Sequence, residues 1–379
     1  MRIAVNAWFL DQPGAGSGQY LRGLLRAMAG LVPDHQVLLV LPGPVEYEIP
    51  GLKAERVTLR SGLWRTNLGK VLFEQAAFPR ACRRWRADVA HVPYWGSPLR
   101  PGAPVVVTIH DLIPLLLPAY RGGLLVRLYT RLVSASARRA TLVLTDSLAS
   151  KRDIEAHLGL PAERVRCVYL AQGEQLSAEP AGDDAAIRAR YGLPEQYVLY
   201  LAGHDVRKNV AGLVEAFATV AQADCDVALA IGGRLPERPG PLFFDPRPRI
   251  AALGLEERVR LIGWAEEADK PALYRGAACA VFASQYEGFG LPVLEALACG
   301  TPLITSNTAS LPELAGDAAF ALAPDDVPGL AGAMLACLCD EPLAAELRRR
   351  GPQQAARFSW SQTARQTLAA YEEAASCGS

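Results

Sequence analysis

The sequence lacks the features that mark membrane-spanning or secreted proteins. No apolar run reaches the roughly 18–20 residues that a membrane-spanning helix requires, although half of the 379 residues are hydrophobic. The chain enters an apolar strand pattern at residue 2, without the charged and apolar segments of a signal peptide. We therefore expect a cytoplasmic protein, at most attached peripherally to the inner face of the membrane.

Clusters of cysteine and histidine are also missing. The eight cysteines are scattered, and no Cys-x-x-Cys pair or mixed Cys/His group has the spacing of a zinc site. We expect reduced, mostly buried thiols. The acidic pair Asp224-Cys225-Asp226 has a spacing found in metal-dependent enzymes. It falls between a predicted helix and a predicted strand, so we interpret it as a turn and predict no metal site.

An overall charge excess is absent, but the charge is unevenly distributed. Residues 1–170 hold 22 Lys/Arg and 12 Asp/Glu, a net charge of +10, which leaves 17 and 27, a net charge of −10, for the rest of the chain. Residues 61–86 and 120–139 interleave arginines with leucines and aromatic residues. Two interpretations stay open: a solvated basic face with ordinary interdomain electrostatics, or a docking surface for an anionic membrane.

Strand patterns alternate with helical patterns in two runs, which predicts two doubly wound α/β domains with parallel sheets. We predict one domain over 1–175 and a second over 196–352. Residues 176–195 lose the periodicity and gather polar residues, proline and glycine, so we interpret them as a linker. Residues 353–379 form a final helical stretch.

The most informative stretch runs from Glu287 through Gly288, Phe289, Gly290 and Leu291 to Glu295, between an apolar strand and a helical pattern. A strand, a glycine-rich turn and a helix start place unpaired backbone N–H groups and the positive end of a helix dipole together, which favours phosphate binding. Either glutamate alone could be an ordinary exposed acid. The two acids flanking Gly-Phe-Gly favour a site.

The stretch resembles the E-x7-E signature of retaining GT-B glycosyltransferases of family 4, also called group 1, and residues 311–319 resemble the segment that follows it. The resemblance covers nearly the whole chain and is strongest over 197–320. It implies two Rossmann-like domains that face a central cleft, with a C-terminal helix packing back across both. It also implies that Glu287 contacts the donor sugar as a catalytic residue, that Glu295 binds the ribose hydroxyls, and that the backbone of 288–291 faces the diphosphate.

Three further positions are candidates for the donor diphosphate and its surroundings. Arg207 and Lys208 follow the first strand of the second domain, where two adjacent cations suit a diphosphate, although they could be a basic helix cap. Gly16 lies in the glycine-rich turn 14–18, which lets the backbone approach a phosphate closely but could also be only a mobile loop. The resemblance favours diphosphate binding for all three.

The remaining candidates lie at the ends of predicted strands, where ligands collect in α/β sheets. His110 ends the strand 105–109. A lone histidine is usually a cap or a satisfied core residue, but the resemblance implies that it contacts the sugar and is catalytic. Gly203 and Ile262 are assigned to the nucleoside, because backbone groups near 261–264 are expected to face the base.

The resemblance implies a retaining hexosyltransferase that uses a nucleotide-diphosphate sugar, with a mannose or glucose type of hexose. The acceptor would be a glycan or a lipid-linked precursor in polysaccharide or glycolipid synthesis. Because cations and backbone amides can stabilise the leaving diphosphate, we expect no metal or other cofactor, and no nucleic-acid partner. A transferase with a soluble acceptor and a catalytically silent sugar-nucleotide binding or scaffold subunit stay open as alternatives.

Overall fold

The computed structural model describes residues 1–12, 14–31, 35–45, 48–52, 54–58, 66–223, 226–236 and 240–377. Asp224 and Cys225 of the predicted turn, and residues 61–65 of the first basic segment, lie outside the described residues. The chain divides into two compact units: a first unit of Met1–Leu170 with Ser359–Ser379, and a second unit of Ala171–Phe358.

The first unit is built on a seven-stranded sheet in which all neighbouring strands run parallel. Its strands are β1 (Arg2–Asn6), β2 (Gln36–Leu41), β3 (Ala54–Thr58), β4 (Val89–Val92), β5 (Val105–Thr108), β6 (Leu142–Thr145) and β7 (Val165–Cys167). The order is β3-β2-β1-β4-β5-β6-β7. Every residue of β4, β5 and β6 is buried, as expected for a parallel sheet that is covered on both faces.

The helices between these strands follow the apolar periodicity of the sequence. They are α1 (Gly16–Met28), α2 (Asn67–Leu72), α3 (Phe78–Trp85), α4 (Ile113–Leu116), α5 (Leu124–Ala137) and α6 (Leu148–Leu158). In α1 the buried face holds Leu21, Leu24, Leu25 and Met28, which repeats at helical spacing. A π-helical turn, Phe73–Ala77, joins α2 to α3. Such turns often occur at functional sites.

The second unit contains a six-stranded sheet that is also parallel throughout, with the order β10-β9-β8-β11-β12-β13. Its elements are α7 (Asp184–Arg190), β8 (Tyr197–Leu201), α8 (Val210–Gln222), β9 (Ala228–Gly232), α9 (Arg247–Ala252), β10 (Val259–Gly263), α10 (Lys270–Gly276), β11 (Cys279–Phe282), α11 (Leu291–Ala298), β12 (Leu303–Ser306), α12 (Leu311–Ala315), β13 (Ala319–Leu322), α13 (Val327–Cys339) and α14 (Glu341–Ala355). The two sheets confirm the prediction of two doubly wound α/β domains.

The chain reverses its direction of strand addition once in each sheet, between β1 and β4 and between β8 and β11. Loops on either side of such a switch point diverge and leave a crevice at the carboxyl ends of the strands, where ligands bind in this class of fold. The topology therefore marks one candidate binding edge in each unit.

Two segments differ from the sequence-based expectation. The helix α7 lies inside 176–195, which was expected to be an irregular linker. Arg275 explains the difference, since its guanidinium holds Asp184 at the start of α7 through hydrogen bonds of which one is 2.7 Å long. The helical stretch predicted at 353–379 is divided: α14 ends in the second unit at Ala355, and a last helix, α15 (Trp360–Ser376), belongs to the first unit.

Candidate active site

The second unit brings Glu287, Arg207, Lys208 and Ser284 into direct contact, and we call these four residues the Glu287 cluster. Arg207 donates from Nη1 to Glu287 Oε2 at 2.6 Å, Lys208 Nζ pairs with Oε1, and Ser284 Oγ donates to Oε1 at 2.9 Å. Glu287 is only 8% exposed. Burial opposes its ionisation, but the charges and hydrogen bonds of Lys208 and Arg207 outweigh burial and lower its pKa to about 2.

The cluster lies at the switch point of the sheet. Arg207 and Lys208 form a 3-10 turn after β8, and Glu287 lies in the loop after β11, so residues about 80 positions apart meet at neighbouring strand ends. The amide of Gln285 donates to the Arg207 carbonyl at 2.7 Å and ties the two loops together. The sequence predicted both halves of this cluster, and the structure joins them.

Side-chain hydroxyls from the following loop hold the backbone of residues 284–289. Ser306 Oγ donates to the Ser284 carbonyl at 2.5 Å, and Ser310 Oγ contacts the carbonyls of Glu287 and Phe289 at 3.0 and 2.5 Å. Sequence reasoning missed these serines, which lie more than 20 residues from the loop that they hold. Because the carbonyls are engaged, the loop keeps one conformation beside the start of α11.

The turn into α11 meets a backbone requirement that only glycine fulfils. Gly290 has φ 113°, and a Cβ there would lie 2.6 Å from the Leu311 side chain. The Phe289 side chain is buried and stacks edge to face on Phe358, with ring centroids 6.4 Å apart. The backbone of 288–291 can therefore serve a ligand, and it adjoins the positive end of the α11 dipole.

Glu295 lies on the buried face of α11 and has polar partners of its own. Tyr274 donates to Oε2 at 2.9 Å, and Lys270 Nζ lies 3.5 Å from Oε1. Burial lowers the pKa of Lys270, but the charges and hydrogen bonds of Glu295 and Glu267 together outweigh burial and raise that pKa overall. The structure does not bring Glu295 into contact with the Glu287 cluster, and its expected ribose contact stays a prediction.

Gly203 and Ile262 lie at the carboxyl edge of the same sheet, following β8 and within β10. Among the described residues, apart from its chain neighbours, no atom lies within 4 Å of the position that a Cβ on Gly203 would occupy. Ile262 packs toward Gly232 at the end of β9. Their assignment to the nucleoside stays a prediction.

His204, next to Gly203, is a candidate that sequence reasoning missed. It is 3% exposed, and no described residue hydrogen-bonds to either of its ring nitrogens. Burial lowers its pKa, which favours the neutral ring. The only signal in the sequence was its position directly after a strand.

In the first unit His110 follows β5 and contacts the loops after β4 and β6. Its Nδ1 lies 2.5 Å from Asp146 Oδ2, and Nε2 lies 3.2 Å from the Pro93 carbonyl. Burial lowers the pKa of His110, but the Asp146 carboxylate, together with Asp111 and the Pro93 carbonyl, outweighs burial and raises that pKa overall. Because both nitrogens face acceptors, the geometry suits an imidazolium, and a sugar contact would have to replace the Pro93 carbonyl.

A fully buried network lies beneath His110 and was not predicted. The hydroxyl of Tyr371, in α15, lies 2.6 Å from His91 Nδ1. His91 Nε2 lies 2.9 Å from Thr108 Oγ1, and Thr108 Oγ1 lies 3.1 Å from the Tyr20 hydroxyl. We call Tyr20, His91, Thr108 and Tyr371 the His91 network. Burial is the main reason that the pKa of His91 falls to about 3, so the ring is neutral.

The glycine-rich turn precedes α1, and in it Gly18 is more closely surrounded than the predicted Gly16. A Cβ on Gly18 would lie 2.0 Å from the Gln12 carbonyl oxygen, whereas among the described residues, apart from its chain neighbours and its own helix backbone, nothing lies within 4 Å of a Cβ on Gly16. Gly16 is the first residue of α1, which lacks a side-chain cap. Its role at a diphosphate stays a prediction.

No group of three or more His, Cys, Asp or Glu side chains in the described part of the chain could hold a metal ion. No single described helix is long and apolar enough to cross a membrane, and one bent pair, Val327–Cys339 with Glu341–Ser376, meets the criteria of length and composition jointly.

Comparisons with known proteins agree on one family. Residues 183–354 match the family described as glycosyl transferases group 1, and residues 14–171 match glycosyltransferase family 4. The chain is 31% identical to O-antigen chain mannosyltransferase B of Escherichia coli over 77% of its length and 76% of that protein. It is 30% identical to the MMP alpha-(1->4)-mannosyltransferase of Mycolicibacterium hassiacum over 99% and 98% of the two chains. Sucrose-phosphate synthase from Thermosynechococcus elongatus shares the fold, with a TM-score of 0.77, 23% identity and 98% coverage of both chains.

Proposed function

The chain belongs to glycosyltransferase family 4, also called group 1. We propose that it is a retaining hexosyltransferase that uses a nucleotide-diphosphate sugar. Mannose is the favoured hexose, because the two relatives described above, which the match covers over more than three quarters of both chains, are named as mannosyltransferases. The acceptor is a glycan or a lipid-linked precursor, since one of those names refers to an O-antigen chain. A peripheral attachment to an anionic membrane is part of this proposal.

The observation that carries the proposal is the Glu287 cluster at the switch point. Arg207 and Lys208, which both pair with the buried Glu287 carboxylate, can bind an anion, since a diphosphate can replace that carboxylate as their partner. Glu287 is then free to accept hydrogen bonds from hydroxyls of the donor sugar. The start of α11 supplies backbone N–H groups and a positive dipole for the same diphosphate.

In the proposed reaction, the bond between the anomeric carbon and the diphosphate oxygen breaks, and the electron pair leaves with the nucleoside diphosphate. The acceptor oxygen bonds to the anomeric carbon on the same face, and its proton passes to the departing phosphate oxygen. Lys208, Arg207 and the α11 amides stabilise the negative charge that develops on the leaving group, which is the contribution of preorganised donors. No metal ion is required in this scheme.

A thermal-shift panel of GDP-, UDP-, ADP- and dTDP-sugars, with and without EDTA, tests the proposal. A ligand that binds only the folded chain stabilises it by about 2.7 kcal/mol at 100 times its dissociation constant. We expect one nucleotide sugar to give a selective shift that EDTA does not remove.

Lys208→Gln should lose most of that shift, and Asp226→Asn, which removes one acid of the predicted turn, is the matched control that should keep it. A shift that EDTA abolishes would contradict the metal-free scheme. No shift with any of the nucleotide sugars would contradict donor binding. A selective shift without transfer to any acceptor would instead favour the silent scaffold subunit.

A further inference from the structure

We propose that the first turns of α5, together with an adjoining pocket lined by arginines, form the docking surface of this protein for an anionic phospholipid bilayer. The pocket receives lipid headgroup phosphates, and the exposed leucines of α5 enter the interfacial layer. The inference deepens the membrane attachment proposed above by naming its residues. It needs no donor, acceptor or catalysis to be tested.

The apolar part of the surface is an exposed run at the start of α5. Leu124 and Leu125 are 72% and 82% exposed, Val126 is 45% exposed and Leu128 is 48% exposed. A contiguous apolar patch of this kind is uncommon on a monomer surface and marks a contact with a partner or a membrane. The patch belongs to an ordered helix, because Thr130, Val133, Ser134 and Ala137 farther along α5 are buried in the first unit.

The cationic part adjoins it. Arg121, Arg127, Arg131 and Arg138, with His157, line a pocket of about 560 Å³ that opens to the surface. The hydrogen bonds of Arg127 and Arg138 to backbone carbonyls use only Nε, at 3.2 and 2.8 Å. Among the described residues no acidic side chain pairs with any of the four arginines. Their terminal nitrogens are therefore available to phosphate oxygens.

The charge pattern decides between a solvated face and a docking surface. Residues 112–145 contain five arginines and no aspartate or glutamate. A solvated helix face usually alternates charges of opposite sign, and its exposed side chains are polar. Here uncompensated cations border exposed leucines, the combination by which amphipathic helices bind the interface of an anionic membrane.

Vesicle co-sedimentation of the full chain tests the inference. Vesicles of phosphatidylcholine alone are compared with vesicles that also contain phosphatidylglycerol, at low and at physiological salt. We expect the protein to bind the anionic vesicles and to be released by salt, because exposed charges are screened. Failure to bind anionic vesicles at low salt would overturn the inference.

Two double variants separate the two parts of the surface. Arg127→Gln with Arg131→Gln should weaken partitioning to anionic vesicles roughly 30-fold and leave binding to neutral vesicles unchanged, since each basic residue near such a surface contributes about 1 kcal/mol. Leu124→Ser with Leu125→Ser should weaken binding to both kinds of vesicle. A variant pair that binds like the wild type would contradict the assigned residues.

The matched control is Arg83→Gln with Arg84→Gln, which removes the same charge from exposed positions on α3 of the same unit. We expect it to keep most of the binding. An equal loss in this control would mean that the general charge of the unit, and not the α5 pocket, carries the effect, and would overturn the inference.

Two further outcomes would replace the lipid by another occupant. Saturable binding of inorganic phosphate that is lost in the Arg127/Arg131 variant, without vesicle binding, would identify a site for soluble phosphate compounds. A dimer in sedimentation that Leu124→Ser with Leu125→Ser dissociates, again without vesicle binding, would identify a contact between copies of the chain. The nucleotide-sugar thermal shift should be unchanged in both double variants. If the wild-type protein shows no shift with any nucleotide sugar, that result contradicts the proposed function and leaves the docking surface unaffected.

Discussion

The two units place their candidate residues at the carboxyl ends of parallel strands, but they surround those residues with different chemistry. In the second unit a buried carboxylate is balanced by two cations. In the first unit the His91 network links neutral groups, and Glu74 nearby is fully buried with a pKa raised to about 7, mainly by burial.

The difference indicates two kinds of work. Buried charges are costly to hold apart from water, so an ion cluster at an edge is ready to exchange partners with an ionic ligand. A neutral network whose groups are all satisfied mainly rigidifies the fold around it. The second unit is thus suited to an anionic donor, whereas the first unit provides a rigid framework for His110.

The largest effect should come from removing the carboxylate of the cluster. Glu287→Gln keeps the shape of the side chain but loses its charge and one acceptor, and we expect turnover to fall by roughly 10²–10³-fold, the size found when a preorganised polar group is lost. Steady-state kinetics with the donor identified by thermal shift measures this. Activity within a few-fold of the wild type would show that the two units do not differ as described.

The pH dependence of stability should differ in sign between the units. The pKa of Glu74 is above its ordinary value, so its contribution is complete below about pH 4.5 and is lost as the pH rises through about 7. The pKa of Glu287 is depressed, so its contribution is present above about pH 4.5 and is lost as the pH falls through about 2.

Glu74→Gln should therefore remove a decline in unfolding free energy between pH 5 and 8 that we expect to be on the order of 2–3 kcal/mol. Lys70, 3.7 Å from Glu74, and the Tyr129 hydroxyl at 3.0 Å are the polar neighbours that the substitution retains. Urea denaturation at the two pH values measures the decline. An unchanged decline in the variant would assign it to other groups.

A smaller effect is expected from breaking the neutral network. Tyr371→Phe removes the hydroxyl that contacts His91 Nδ1 and leaves that buried nitrogen without its partner, which should cost about 1–3 kcal/mol of unfolding free energy. The nucleotide-sugar thermal shift should keep its size, because the network is in the first unit. Loss of that shift at unchanged stability would contradict a framework role.

The smallest effect concerns the loop that holds Glu287. Ser310→Ala removes the hydroxyl that contacts two carbonyls of this loop, and the net value of such hydrogen bonds is about 0.5–1.5 kcal/mol. We expect kcat/KM to fall roughly two- to tenfold, with Ser310→Thr retaining more activity because it keeps a hydroxyl. Equal losses in both variants would indicate a packing effect.

The sequence predicted those parts of the site whose residues are neighbours in the chain. The loop from Glu287 to Leu291 and the helix after it form one segment, so their composition predicted both the turn and the helix start that follows it. Arg207 and Lys208 were predicted because they lie between a strand and the helix that follows it. The meeting of these two segments required only the parallel topology, which strand and helix patterns predict well.

What could not be predicted depends on distant partners. Tyr371 and His91 are 280 positions apart, and nothing local distinguishes either residue from an ordinary core side chain. The helix α7 has an unremarkable sequence and is held by Arg275, 91 positions away from Asp184. His204 stands out only because it is buried and no described residue hydrogen-bonds to its ring nitrogens, which no sequence pattern reports.

The division of the chain has a consequence for its synthesis. The first unit is interrupted after Leu170 and is completed only by α15. Between these two parts lie the 188 residues of the second unit, from 171 to 358. At translation rates of about 5–20 residues per second, the ribosome needs roughly 10–40 s to cross that stretch. During this time His91 lacks its contact with Tyr371, and the second unit can fold first. The usual order, in which the N-terminal domain matures before the one behind it, is therefore reversed at the last step.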